Sequence, residues 1–291
     1  MKLILKSLFL LSLSIAIILG LNSSTSAQEK LKLDEIIAKH LDSIGTKEKR
    51  AEIIDQLILA SVKYEKKGAT TSFIGKSVFV STRSKNLFGM ELNSNEYPQD
   101  KFSFDGNKAR ISFSTPGLYS LLGNAVFTNP GLIKNGLLGG TLFSSWVLNN
   151  LADKHPKISL IGSKTIDNND AYVIEYIPKG DLDFEVRIFI DKKTFHHVRT
   201  EYYRSIAARQ GNSIDTSAHQ GSDNLKITEE FSEFTNMSGL TLPSKYSISY
   251  NNYNNGIATN IGNIEVKWSF EVSNFKYNQK FDDSVFIITT K

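Results

Sequence analysis

The chain has 291 residues and a formal net charge of +4, from 34 basic and 30 acidic side chains interspersed along it. It contains no cysteine, which excludes a disulfide framework, a thiol nucleophile, thiolate metal sites and the cysteine of a bacterial lipoprotein anchor. There is no basic stripe with interleaved aromatics, which argues against a nucleic-acid partner; weak attraction to an anionic membrane surface stays open.

The first residues read as a secretory signal. Lys2 and Lys6 open it, Leu8 to Gly20 is its apolar run, and Thr25-Ser26-Ala27 supplies small residues at a cleavage site. The expectation is a signal peptide over 1–27 and a mature chain from about Gln28, exported to the periplasm, with residues 28–291 as one domain. No second stretch reaches the ~20 consecutive apolar residues that a bilayer span needs. A mature chain of this length, without disulfides, must be held by one sizeable core or two small ones.

Leu33 to Ile44 reads as an amphipathic helix with Leu33, Ile36, Ile37, Leu41 and Ile44 at helical spacing, ended by Gly45. Thr46 then caps a second helix expected to turn Ala51, Ile53, Ile54 and Leu57 inward. From there the period becomes two. Strands are expected over Leu57–Lys66, Phe73–Arg83, Leu87–Leu92, Lys101–Phe104 and Ala109–Phe113, the last two joined by the turn Asp105-Gly106-Asn107.

Ile111 to Ala152 breaks the pattern. Lys134 is its only charge, and leucine, phenylalanine and tryptophan are interrupted by six glycines, Pro116 and Pro130. So apolar a segment must be sheltered from water, at roughly 1.5–3 kcal/mol per buried Leu or Phe. It reads either as an insert folded against a concave surface or as two core helices with no further role.

After Pro156 strands resume over Lys157–Thr165, Ala171–Ile177, Asp183–Ile190, Phe195–Ser205, Leu225–Thr235, Lys245–Asn251 and Ile264–Asn274. Polar loops fill Ile206–Asp223 and Asn251–Asn263, and Phe281–Ile288 reads as a short extended tail. In Asp183–Ile190, Phe184, Val186, Ile188 and Ile190 share a face while Phe189 joins Glu185 and Arg187 opposite. About a dozen short strands at hairpin spacing predict an α+β, mainly β chain. The expectation is one continuous, strongly curved antiparallel sheet, with the N-terminal helices and the apolar insert as the available covers for its apolar face.

Constellations that would carry chemistry are sparse. His196-His197 are adjacent on a strand and point to opposite faces, so one ion cannot easily take both; the histidines read as surface residues and no metal site is expected. Glu201, Glu229 and Glu230 read as sheet-face charges. Gly136 and Gly139-Gly140 do not follow a strand in a βαβ unit, so no phosphate loop is implied, and no G-x-S-x-G elbow is present. Arg199 reads as a headgroup holder at the rim of an apolar cavity or as a cross-strand pair on a solvated face.

One order of motifs stands out. Asp191-Lys192-Lys193-Thr194 precedes a strand ending in Glu201-Tyr202-Tyr203-Arg204; Glu233-Phe234, Gly239-Leu240, Leu242-Pro243, Asn274 and Asp283–Phe286 follow. With Ile36–Gly45 at the start and Gly136–Leu142 followed by Trp146, this order resembles the LolA-like superfamily, the periplasmic outer-membrane lipoprotein-sorting proteins and their relatives. It looks like a divergent branch with a glycine-rich apolar insert.

The resemblance implies a half-open barrel plugged by helices that binds acyl chains, without catalysis, cofactor or metal. The chain is longer than a typical carrier, its insert is larger, and no ligand-contacting residue aligns.

The expected function is therefore a monomeric carrier for a lipid, a lipoprotein acyl chain or another amphiphile, in transient contact with envelope membrane proteins. Leu121, Leu122, Phe127, Leu138, Leu142, Phe143 and Trp146 are the candidate lining, and Arg199 the candidate headgroup contact. The alternatives are an envelope scaffold that docks a partner through the insert, and a hydrolase of envelope polymers.

Overall fold

The computed structural model describes residues 31–180, 182–206, 223–254 and 263–289. The expected signal segment, most of the polar loop Ile206–Asp223 and most of the Asn-rich loop Asn251–Asn263 lie outside the described residues. Leu33–Lys291 forms one compact unit.

Helix α1 spans Leu33–Ile44 and buries Ile36, Ile37, His40 and Ile44. Helix α2, Lys47–Glu52, is capped by Thr46, whose hydroxyl accepts the Lys49 N–H at 3.2 Å. The expected inward face of α2 is not there. The helix is six residues long and buries none of them; Ile53 is buried only after it ends, and Ile54 is 66 % exposed. Strand β1 begins at Asp55 and takes the chain over before a second helical turn can form a face.

The strands are β1 (Asp55–Lys66), β2 (Ser72–Thr82), β3 (Asn86–Leu92), β4 (Gln99–Phe104), β5 (Ala109–Ile111), β6 (Lys157–Ile166), β7 (Asn169–Ile177), β8 (Glu185–Asp191), β9 (His197–Ile206), β10 (Asp223–Met237), β11 (Leu240–Asn254) and β12 (Ile264–Tyr277). They form one twelve-stranded sheet in the order β5-β4-β3-β2-β1-β12-β11-β10-β9-β8-β7-β6. Each half is a run of antiparallel hairpins, and β1 pairs with β12 to join them. The two edges are therefore β5 and β6, and the segment linking them is the apolar insert.

The sheet is strongly curved. Phe79 on β2 and Tyr246 on β11 have ring centroids 5.9 Å apart although β1 and β12 lie between their strands. A flat sheet would separate those strands by about 14 Å, at 4.7–4.9 Å per strand step. The sheet is not closed into a barrel.

The insert fills the resulting bowl with short pieces: α3 (Leu121–Thr128), α4 (Gly131–Lys134), 3-10 turns at Gly140–Leu142 and Val147–Asn149, and α5 (Leu151–Lys154). Leu122, Val126, Leu132, Ile133, Leu137, Leu138, Leu142, Phe143, Trp146, Val147 and Leu148 are each at most 3 % exposed. Eleven such side chains contribute on the order of 20 kcal/mol of gross hydrophobic stabilisation. A lid motion of the whole insert would return that surface to water, so the insert is core rather than lid.

The opposite, convex face carries a smaller cluster of Ile166, Ala171, Val173, Phe189 and Val198, as the position of Phe189 among polar neighbours foretells. The C-terminal tail is not extended: Asp282 caps a 3-10 turn at Asp283–Phe286 that buries Phe286 completely.

Candidate functional site

Two buried carboxylates tie the insert to the sheet. On β10, Leu225, Ile227, Glu229 and Phe231 alternate toward the bowl and all are buried. Glu229 Oε1 accepts the Gly139 N–H of the insert at 2.7 Å and the Tyr246 hydroxyl; Oε2 accepts the Tyr202 hydroxyl at 2.5 Å. Burial pushes its carboxyl up to about 7, against the pull of these three donors. Glu229 is thus not the sheet-face charge its sequence neighbours Thr228 and Glu230 suggest.

Gly139 and Gly140 make the approach possible. Gly139 has φ +85°, and a Cβ there would lie 2.4 Å from the Phe143 ring. Gly140 has φ +48°, and its Cβ would lie 2.7 Å from both the His197 and Phe231 rings.

Trp146 plugs the centre of the bowl. Its indole N–H donates to His40 Nε2 at 3.0 Å, while His40 Nδ1–H donates to the Phe195 carbonyl at 2.9 Å. The imidazole is therefore neutral with a defined tautomer, and burial holds it down to about 4. His197 stacks on Trp146 at 4.5 Å, and its Nε2–H faces the Thr200 hydroxyl at 2.7 Å and the Arg199 carbonyl at 3.1 Å. Burial lowers His197 as well.

His40 and His197 are fully buried, not surface residues. A bulge redirects His197: Phe189 pairs with Arg199 and Ile190 with His197, so Val198 is the extra residue. Strict alternation would have placed His197 beside Arg199. Among the described residues no group of three or more His, Asp or Glu is placed to hold a metal.

The bowl is open at one end. A cleft of 770 Å³ lies between the β1–β2 turn, the β3–β4 turn and the start of the insert. Tyr64, Phe73, Tyr97 and Trp268 supply its aromatic wall, with Tyr64 stacked on Phe73 at 5.9 Å and 5.5 Å from Trp268. Leu118, Tyr119, Ser120 and Leu121 face them from the insert, and Lys66, Thr71 and Glu96 stand at the polar rim.

Behind this wall Trp268 N–H donates to the Tyr97 hydroxyl at 3.0 Å, which donates to Asp100. Asp100 also accepts the Ser120 hydroxyl at 2.6 Å, and Ser120 caps α3 by accepting the Gly123 N–H at 2.8 Å. Asp100 is completely buried, and burial pushes it up to about 7.

The expected lining residues separate into four groups. Leu121 faces the cleft. Leu122, Leu138, Leu142 and Trp146 are packed in the core and do not border it, because the insert fills the bowl they were expected to line. Phe127 is 53 % exposed on the outer side of α3, stacked on Tyr119 at 4.7 Å. Phe143 is buried against Phe79 at 5.7 Å and borders a second, smaller pocket.

Arg199 lies on the convex face. It pairs with Glu230 at 2.6 Å and approaches Asp167 and Glu201 at 3.8 Å, which is the cross-strand pairing; it borders a 460 Å³ surface pocket with Ile166, Val198 and Phe234 and not the cleft. Glu201, Glu229 and Glu230 do not border the cleft.

Sequence reasoning missed Tyr64, Phe73, Tyr97, Asp100 and Trp268. Glu229 carried a readable signal, a charge in register with an apolar face. The cleft aromatics carried none, since they come from separate strands and a turn and meet only in the fold.

No family model matches the chain, and no curated protein matches it. Among solved structures it is similar to a LolA superfamily protein from Nitrosomonas europaea, at 14 % identity over 88 % of this chain and 98 % of that one, with a TM-score of 0.48. It is also similar to a DUF1329 family protein from Desulfovibrio piger, at 10 % identity over 88 % and 98 %, TM-score 0.43. A third is a domain provisionally assigned to outer membrane lipoprotein sorting from Vibrio parahaemolyticus, at 9 % identity over 86 % and 95 %, TM-score 0.44. The first and third bear the family description that the motif order resembles. At these identities and scores the likeness is one of fold, and nothing about ligand or partner follows from it.

Proposed function

We propose that the protein is an exported envelope carrier that shelters part of an amphiphile, such as an acyl chain of a lipid or lipoprotein, in the open cleft. The insert serves as a fixed wall and no bond is made or broken. The observation that carries this reading is the 770 Å³ cleft, aromatic inside and polar at its rim. Each methylene moved from water into such a cleft contributes about 0.8 kcal/mol, so roughly ten give ~8 kcal/mol gross. Lost translational and side-chain freedom offsets much of that, which suits a carrier that must release its cargo.

The test is organic extraction and native mass spectrometry of the purified protein, with displacement of a fluorescent fatty acid. Co-purifying lipid, or saturable displacement weakened at least tenfold by Leu121→Arg, is the expected result. Protein that is free of lipid and never binds the probe would count against a carrier.

A second reading is an assembly protein that docks a partner. Its specific support is the stack Phe113–Tyr119–Phe127, with centroid spacings of 4.7 Å, in which Phe127 is exposed and the other two rings are half-buried, beside Leu118 at 66 % exposure. Loss of a co-purifying protein in Leu118→Ser/Phe127→Ser, with fatty-acid binding absent in the parent, would favour it.

A further inference from the structure

A second pocket lies at the other side of the insert, where α1, α2 and the 3-10 turn at Gly140–Leu142 meet β11. Its volume is 300 Å³ and its walls include Ile44, Phe143 and Leu240. Three cationic side chains, Lys47, Arg50 and Arg83, border it, and no carboxylate does. Both guanidinium groups are positioned by carbonyl oxygens: Arg50 Nη1 donates to the Leu41 and Gly45 carbonyls, and Arg83 Nη2 to Ala51 O at 2.7 Å. Carbonyl dipoles fix these side chains without cancelling their charge. Asp42, which pairs with Arg50 at 3.5 Å, is 72 % exposed and so screened by water, and Glu48 is also solvent-exposed.

Thr141 adds an independent mark. It borders the same pocket, is 4 % exposed, and its hydroxyl has no hydrogen-bond partner. A buried hydroxyl without a partner is unfavourable, and a ligand oxygen would satisfy it. At about 30 Å³ per water-sized group, the volume holds roughly ten such groups. That is a single short chain with a small head, and not a two-chain lipid.

We propose that this pocket is a binding site for a monoanionic single-chain amphiphile, its headgroup held by Arg50 and Arg83 and its first methylenes against Ile44, Phe143 and Leu240. The shared chemistry is a carboxylate or phosphate on an alkyl chain. The site is separate from the cleft, so its fate does not depend on the carrier reading.

The experiment is isothermal titration calorimetry of the purified protein with decanoate, decyl phosphate and decanol. Decanoate or decyl phosphate should bind at least tenfold more tightly than decanol, and that preference should shrink as salt rises. Whichever of the two anions binds more tightly identifies the headgroup source. Arg83→Gln, at an exposed position, should weaken anion binding about tenfold and leave decanol unchanged. Thr141→Val should weaken it by a smaller factor, and Leu121→Arg in the cleft should leave it untouched. Arg50→Gln removes a helix-end contact as well; if it does not fold, Arg83→Gln and the salt series decide. Equal affinity for decanol and the anions, no anion binding up to millimolar concentration, or anion binding lost in Leu121→Arg but kept in Arg83→Gln would each overturn the site.

Discussion

The middle of the bowl and its open end are built from the same kinds of residue and do opposite things. In the middle, Leu138, Leu142 and Trp146 are sealed, with at most 2 % exposure, and the Trp146 indole N–H and the Glu229 carboxylate are hydrogen-bonded. At the open end Tyr64, Phe73, Leu118 and Leu121 leave 770 Å³ of space between sheet and insert. Hydrophobicity alone does not tell a plug from a pocket; the difference is whether something apolar from the same chain already occupies the space. Each region is fastened by a buried carboxylate that receives a tyrosine hydroxyl, Glu229 in the middle and Asp100 at the open end.

If the middle is core, breaking it must cost far more than breaking the end. Trp146→Ala is the largest effect expected. It removes a fully buried indole and leaves His40 Nε2 without its donor. Losses of about 3–5 kcal/mol follow from the cavity, with more from the orphaned acceptor. Urea denaturation followed by circular dichroism measures it. A loss under 1 kcal/mol would mean that the insert is not seated as described.

Gly140→Ala is expected next, at about 2–3 kcal/mol, since it combines a positive φ with a Cβ 2.7 Å from the His197 and Phe231 rings. Gly117, also at positive φ but with open space around it, is the control; Gly117→Ala carries only the backbone term.

The architecture was legible in the sequence because period-two alternation, turn residues and the apolar insert all point the same way. Helix α1 and most strands fall within two residues of expectation, and Phe189 on the convex face was readable from its polar neighbours. The site was less legible. The cross-strand pairing of Arg199 is one of the two readings its strand allows, but His197 reads as a surface residue, and one extra residue at Val198 turns it into the core. The insert's leucines could not be sorted into lining and filling, since that depends on which part of the sheet each one meets. The cleft joins Tyr64 to Tyr119 and Trp268, a non-local arrangement that no window of sequence contains.

The two carboxylates and the two histidines sharpen the comparison through pH. Asp100 and Glu229 are raised, from 3.8 and 4.5 to about 7. Their stability contribution is full below the unfolded values and is lost as pH rises through about 7. His40 and His197 are lowered, His40 to about 4. Their contribution is present above 6.5 and is lost as pH falls toward the folded value. Between about pH 4.5 and 6.5 Asp100 and Glu229 each lower stability by ~1.4 kcal/mol per pH unit as pH rises, His40 raises it by as much, and His197 acts in the same direction as His40. Glu229→Gln removes one falling slope, so its stability should rise with pH relative to the parent by about 1.4 kcal/mol per unit across that window. Denaturant midpoints at pH 4.5, 5.5 and 6.5 check this. A mutant profile parallel to the parent would show that Glu229 titrates as an ordinary carboxylate and is not buried.

The smallest expected effect tests the open end. Leu118 is 66 % exposed and sits at the mouth of the cleft. Leu118→Ser should change stability by less than about 0.5 kcal/mol, because little apolar surface is removed from a buried site. The same change should weaken displacement of a fluorescent fatty acid severalfold, since Leu118 meets a ligand only when one is bound. Stability and binding are thus expected to separate at Leu118 and to fall together at Trp146. A Leu118→Ser protein destabilised by 2 kcal/mol or more would place the mouth of the cleft inside the core and erase the distinction between the two regions.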